Sequence, residues 1–523
     1  MFKKLFMLFK IARKLSTSGA ISSIYEIYHP PFLVKFLFFF VGFNFGDQKN
    51  SNNNLSPGKK LCDALQGMGT TFIKLGQFLA TRPDIIGENM SKELEKLQDK
   101  LPAFGLFESK NILKNELGEK NFSEIINLSE PIAAASIAQV HIANIKSLNE
   151  TKKVAIKVLR PDIERIFNEE LDALMLLAYI VQSLIKKTQR LKLVEVVQLL
   201  REITNIEMDL RFEGAAASEY YQNTKNDIGF NVPKIYWNYT SKRVLCLDWV
   251  DGISIREVEK LKTLKINLKK LAKDTIQHFL RHAIRDGFFH GDMHQGNLFV
   301  SKNGEIIPVD FGIMGRLDKN SRKYLAEILY GFVKRDYKKV AEVHFYAGLV
   351  SKNVSKDEFA QALRSIGEPI FGQSVKNISG SKLLNQLFEV TEKYNMQTQI
   401  QLLLLQKTMV VVEGVARKLD PEANIWDLSK PVLESWLRDV KDPIKKVDDV
   451  VNNAAEVLKR LPDFPIIMDR ANDVMTLIAE GKFNPNTIAY HTLKNEELKL
   501  EIMRNKILGG VLFLVIFALI VFK

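Results

Sequence analysis

Cysteine is almost missing from this chain. The 523 residues hold two, Cys62 and Cys246, so no disulfide framework or cysteine-rich zinc site can be built, and a reducing compartment fits. Histidine is scarce as well, with eight in all. His278 and His282 stand at helical i,i+4 spacing but lack the intervening acid of a zincin motif, so they read as ordinary helix residues. Long apolar runs are also in short supply. Ile507 to Phe522 carries no charge, contains two glycines and is followed by Lys523. As a helix it would span roughly 24 Å against a hydrocarbon core of about 30 Å. It reads as a membrane tail anchor, with a buried or interfacial helix as the alternative. No secretory cleavage pattern follows the N-terminal apolar stretch, which basic residues interrupt, so residue 1 is expected in the mature chain.

What is plentiful is positive charge, a formal +13, on a chain that is 46% hydrophobic. Lys3, Lys4, Lys10, Arg13 and Lys14 lie among Phe2, Leu5, Phe6, Leu8, Phe9, Ile11 and Ala12. That mixture suits a basic helix lying in a membrane interface and points to lipid rather than nucleic acid. A frayed basic terminus is the rival reading. Pro31 to Phe45, rich in Phe, is a second candidate contact. The length exceeds one compact core and predicts a bilobal catalytic unit with helical additions.

Residues 46–58 (GDQKNSNNNLSPG) read as a linker. A helical pattern follows to about residue 128, with a turn around Arg82-Pro83-Asp84. Ile132 to Ala143 and Val154 to Leu159 read as strands joined through the polar run Lys146 to Lys153, and Val244 to Val250 reads as another, before the Asp251-Gly252 turn. Together they predict a small, mostly antiparallel sheet with helices packed on it. Ile276, Phe279, Leu280, Ala283 and Ile284 form the stripe of a half-buried helix that Gly287 would cap. Asn303-Gly304 marks a tight hairpin, and residues 320–500 read as helical.

The chemistry lies in an ordered set of motifs. In VAIK, Lys157 ends an apolar strand, where it can hold the α- and β-phosphates of ATP. In HGDMHQGN, Asp292 can accept a proton from an attacking hydroxyl or orient it, and the Asn297 carbonyl oxygen can ligate magnesium. Thirteen residues beyond Asn297, Asp310-Phe311-Gly312 supplies a carboxylate to bridge metal and phosphates. Each motif alone is weak; the order carries the signal. Lys157 needs a carboxylate partner, and the run NIEMDLRFEG, read as helix, offers Glu207, Asp209 and Glu213, with Glu207 the first choice.

Together with KLGQ (Lys74 to Gln77) and AAAS (Ala133 to Ser136), these motifs over roughly residues 60–350 resemble the UbiB family of atypical kinase-like proteins of ubiquinone biosynthesis. The resemblance implies that the Lys74–Gln77 helix packs over the place where a protein kinase would bind its peptide. It also implies that an alanine-rich loop replaces the glycine-rich one. Alanines carry Cβ atoms, so such a loop cannot readily take positive φ or let phosphates approach its backbone as closely. Gly291 stands where a protein kinase has the arginine of HRD, and no APE sequence follows DFG, which argues against control by activation-loop phosphorylation. The family tends to end in two membrane spans, whereas one convincing segment is found here.

The expected fold is α+β and bilobal kinase-like. Its parts are a membrane-facing piece (1–45), the linker (46–58), a helical extension (59–130), a small lobe (131–252), a helical large lobe and extension (253–500) and the apolar tail (507–522). Asp292 and Lys157 are the expected catalytic residues, and Asn297 and Asp310 the Mg²⁺ ligands. ATP is expected against Ala133, Ala134, Ala135, Ser136, Ile137, Ala138, Val140, Lys157, Glu207, Asp248 and Val250, with Lys74 and Gln77 regulating the cleft. The resemblance implies membrane lipids, ubiquinone precursors and their biosynthetic enzymes as partners, and a bacterial inner membrane with the kinase-like body in the cytoplasm. Rivals are a small-molecule or lipid kinase, since HGDxHxGN also suits aminoglycoside and choline kinases, and a nucleotide-switched membrane scaffold. A conventional protein kinase ranks below these.

Overall fold

The computed structural model describes residues 56–441 apart from interior gaps, chief among them 81–85, 185–191 and 373–389, and a few residues between 7 and 14. The stretch 31–45, most of the linker, the turn at 82–84, residues 442–500 and the tail segment 507–522 lie outside the described residues. Among the described residues no helix is long and apolar enough to cross a membrane.

The first continuous unit among the described residues is helical. Ser56 caps α1 (Pro57–Met68) by accepting from the Lys59 N–H, with proline at the first turn where its missing N–H costs nothing. Gly69, at φ +107, lets α2 (Thr70–Ala80) turn back on α1, and α3 (Glu88–Leu94) closes the group. Gly76 of KLGQ sits at a close crossing: a Cβ there would lie 2.2 Å from Leu97 Cδ1 and 3.0 Å from Leu65 Cδ1. Ile11, expected to face lipid, is instead buried in the same cluster as Leu61, Leu65 and Phe72.

After α4 (Leu106–Ser123) the chain forms an antiparallel sheet from β1 (Ile125–Ile126), β2 (Ala133–Ala134), β3 (Ala138–Lys146), β4 (Thr151–Leu159) and β5 (Val244–Asp248). The order is β1-β3-β4-β5, with β2 also on β3. The strand expected over 132–143 is therefore two pieces. Ala133 and Ala134 fold back onto Val140 and Gln139, so the alanine motif is the lip of a tight hairpin. β5 stops at Asp248, two residues short of the expected end. Its register places Lys157 between Val140 and Leu245.

Helices α5 (Ile163–Leu184), α6 (Leu193–Glu207) and α7 (Leu210–Thr224) fill the stretch between β4 and β5. NIEMDLRFEG is not one helix: α6 ends at Glu207, and Asp209, with φ −122, caps α7 by accepting from the Arg211 N–H. Beyond β6 (Ile253–Ser254) and α8 (Val258–Thr263), helix α9 (Leu268–Arg281) runs into a π-helical turn at His282–Asp286. Gly287 ends it at φ +66, where a Cβ would stand 2.5 Å from the Leu317 carbonyl oxygen. β7 (Phe288–His290) pairs with β10 (Met314–Arg316), and β8 (Leu298–Val300) pairs with both β6 and β9 (Ile306–Pro308). The large lobe is completed by α10 (Lys319–Val333), α11 (Tyr337–Tyr346), α12 (Lys356–Gly372), α13 (Ile400–Leu419) and α14 (Ile425–Lys441), which share one buried core with α9.

Candidate active site

β4 delivers Lys157 to the cleft with its stem among buried neighbours. Its Nζ lies 2.9 Å from both oxygens of Glu213 and 3.5 Å from Asp310 Oδ2. The partner is thus Glu213, in the first turn of α7, and not Glu207. The helix break at Met208-Asp209 is the physical cause, because it points residues 207 and 213 in different directions. Asp209, a cap residue ahead of a helical run, is the signal that marks the break in the sequence.

Burial works against the Lys157 ammonium, but Asp310 and Glu213 together push its pKa up. Asp310, beside Lys157 and accepting from the Gly312 N–H at 3.0 Å, is held at about 2. Burial moves the Glu213 carboxyl the other way, upward, with Lys157 opposing. The site thus keeps an ionised Asp310 against a cation.

The catalytic loop is tied to DFG through one ring. His290 Nδ1 accepts from the Asp292 N–H at 3.0 Å, so Nε2 carries the proton and donates to the Asp310 carbonyl oxygen. Burial pushes the His290 pKa down, which keeps this neutral form. Asn297 Nδ2 donates to the Asp292 carbonyl oxygen at 3.1 Å and to its carboxylate at 3.2 Å, leaving the Asn297 side-chain oxygen facing away from these bonds. A magnesium ion fits this donor set: an ionised carboxylate 47% exposed at Asp310, plus a neutral carbonyl oxygen.

The alanine lip is pinned rather than loose. The Ala135 carbonyl accepts from Arg160 Nη2 at 2.8 Å, and the Ser136 carbonyl accepts from Thr70 Oγ1 at the start of α2 at 3.1 Å. The Ser136 hydroxyl is fully buried without a hydrogen-bond partner among the described residues. Ile137 and Ala138 are buried beside it, while Val140 is half-buried opposite Lys157. The Asp248 carboxylate is engaged by the Tyr236 hydroxyl at 2.5 Å and the Lys234 N–H at 3.2 Å, so it meets its own chain; Val250 follows, half-buried.

Lys74, on α2, reaches Glu207 Oε2 at 3.0 Å, and its charge also lowers the Asp310 pKa. Gln77, one turn on, is half-buried. The end of α6 therefore anchors the KLGQ helix beside the cleft. Gly291 explains the lost HRD arginine. A Cβ there would lie 2.9 Å from Ile313 Cγ2 and 3.0 Å from Leu404 Cδ2, and Thr408 Oγ1 donates to its carbonyl at 2.8 Å. Helix α13 occupies the space an arginine would need. Sequence spacing gave no sign of this contact, which spans more than a hundred residues.

Comparison with known proteins gives the family. The ABC1 atypical kinase-like domain matches residues 96–344 and the UbiB helical domain matches 363–424. "Probable protein kinase UbiB" of Marinobacter nauticus is 36% identical over 80% of this chain and 77% of its own length. Its counterpart in Pseudomonas entomophila is 34% identical over 87% and 84%, and that of Histophilus somni 38% over 80% and 78%. This chain belongs to the UbiB family. A more distant solved structure, the Rv3197–erythromycin complex from Mycobacterium tuberculosis, has a TM-score of 0.47 at 23% identity, covering 68% of this chain and 89% of that one. As a UbiB-family protein the chain has an atypical kinase-like body, and the alanine lip, the α2 anchor and the closed seat at Gly291 are its departures from a conventional kinase.

Proposed function

We propose that this UbiB-family chain binds ATP with Mg²⁺ and hydrolyses it slowly in support of ubiquinone (coenzyme Q) biosynthesis. We place that work at a bacterial inner membrane, acting on lipid precursors or on the enzymes that process them. The observation that carries the reading is Lys157 held between Glu213 and an ionised Asp310, with His290 tying Asp310 to the loop that bears Asp292 and Asn297.

In this reading Lys157 presents a fixed cation to phosphate oxygens, with Glu213 setting its direction. Asp310 and the Asn297 carbonyl oxygen hold magnesium, which supplies charge neutralisation at the phosphates. The Asp292 carboxylate, steadied by the Asn297 amide, orients an attacking water or hydroxyl. The pinned alanine lip and the anchored α2 restrict what else can enter, which supports water or a small lipid group over a peptide as acceptor.

The test is phosphate release from ATP by purified full-length protein with magnesium, with and without anionic liposomes and a quinone-precursor analogue, against Asp310→Asn. Lipid-stimulated release that the variant lacks is the expected result. Nucleotide binding with no release above the variant would overturn hydrolysis in favour of a switched scaffold, and transfer of labelled phosphate to the added lipid would make the chain a lipid kinase.

A further inference from the structure

Behind the catalytic loop, three ligand-type side chains that the nucleotide site does not use come together. His278 and His282 stand one turn apart along α9 and its π extension, and Asp227 meets them from the turn after α7. One ligand atom from each lies within 4.8 Å of the other two. Both imidazoles are buried, His282 completely. A neutral imidazole offers a lone pair on one of its two ring nitrogens.

The groups around this trio are of the kind that orient metal ligands. The Tyr220 hydroxyl lies 2.7 Å from His282 Nδ1, and His282 Nε2 lies 2.9 Å from Asp227 Oδ2. Arg285 grips both Asp227 oxygens, at 2.7 and 2.9 Å, while Asp286 balances the guanidinium at 2.6 and 2.7 Å. Gly229, at φ +86, carries the chain past the cluster without a side chain. A Cβ there would stand 3.8 Å from His278 Nε2 and 3.7 Å from Asp274 Oδ2, whose own partner is Lys270 Nζ at 3.0 Å. π-Helical turns such as the one that starts at His282 recur at functional sites.

We propose that Asp227, His278 and His282 form a binding site for a divalent transition metal of the zinc class, with the fourth position left to water. Two imidazoles and one carboxylate suit zinc, whereas magnesium prefers oxygen donors throughout. Asp227 is ionised and only accepts, so His282 carries its proton on Nε2 in the metal-free form. On binding, the ring switches tautomer: the metal takes Nε2 and the proton moves to Nδ1, donating to the Tyr220 oxygen. The site does not depend on the nucleotide reading. The competing account is a closed hydrogen-bond lock of His282, Asp227 and Arg285 that needs no ion.

The experiment titrates untagged, full-length, metal-stripped protein with Zn²⁺ against a chromophoric chelator, with excess Mg²⁺ present, and repeats it with Co²⁺ to read visible absorption. The expected result is one tight equivalent and tetrahedral cobalt bands. His278→Leu and the more conservative His278→Gln should each weaken binding at least tenfold. Cys62→Ser, which removes the thiol beside Asp63 and Glu93, should leave it unchanged. A circular dichroism spectrum and cooperative thermal unfolding matching the metal-stripped parent in both His278 variants show that they are folded. No stoichiometric zinc, or zinc retained undiminished without His278, would overturn the site and leave the hydrogen-bond lock.

Discussion

Two carboxylates divide Lys157 between them, and they answer acid differently. Asp310 has its folded pKa depressed from 3.8 to about 2. Its contribution to stability is therefore fully present above pH 3.8 and is lost as pH falls toward 2. In metal-free protein, Asp310→Asn should remove that part of the acid-unfolding curve, seen by circular dichroism, while leaving the rest in place. A curve unchanged between pH 4 and 2 would mean Lys157 does not hold Asp310 in solution. Glu213 is nearly buried, with 9% of its side chain exposed, and makes the shorter contacts. Glu213→Gln should cost about 2 kcal/mol in urea unfolding, less than the loss of a fully isolated buried pair because Asp310 remains as partner. The same change at Glu207 should leave nucleotide affinity closer to wild type. That Lys157 would meet Asp310, and Asp292 meet Asn297, was legible in the sequence because short motifs fix their types and spacing. The choice of Glu213 was not, since it turns on a cap at Asp209 that reverses which side of the chain faces the lysine.

At the scale of elements, the seat of Gly291 sets what the catalytic loop can tolerate. Leu404 and Ile313 press on it from two sides and Thr408 bonds to its carbonyl. Gly291→Ala places its Cβ against Leu404 Cδ2, a tip that can yield, but also 2.9 Å from the branched Ile313 Cγ2 and 3.2 Å from the Ile313 carbonyl oxygen, so it should cost about 1 kcal/mol. Gly291→Arg has no such room and must displace α13, which predicts a loss of about 1 to 3 kcal/mol and a clear fall in Tm. Equal melting temperatures for the two variants would show that α13 does not press on the loop. The apolar stripe of α9 and the turn at Asn303-Gly304 were readable from local periodicity, and Gly304 takes the positive φ, +82, that the turn needs. The division of 132–143 into a lip and a strand was not readable, because alanines suit either arrangement and only pairing with Val140 and Gln139 decides it.

Across the whole molecule, polar contacts join the N-terminal helices to the kinase-like body. Lys74 to Glu207 and Thr70 to Ser136 are two of them, one at each edge of the cleft. A half-buried ion pair of this kind contributes about 1 kcal/mol, so Lys74→Ala should raise hydrogen exchange of the α2 amides, residues 70–80, roughly fivefold. Exchange in β3 and β4 should stay as it was. If the whole body loosened together, α2 would be part of the core rather than a separable clamp. The long-range contacts that assemble this layout were invisible in the sequence, since nothing local links Lys74 to Glu207 or Leu404 to Gly291.

The contact of α13 with Gly291 also bears on how the chain can be cut. Similarity draws the kinase-like domain to a close at residue 344, yet the loop that bears Asp292 is roofed by residues 404 and 408. A truncation made at the similarity boundary would strip that roof, bare the apolar underside of the loop and yield a fragment prone to aggregate. The smallest piece that should be produced in isolation as a soluble, nucleotide-competent protein therefore runs through Lys441, the end of α14, whose Ile425, Trp426 and Leu433 lie in the same buried core.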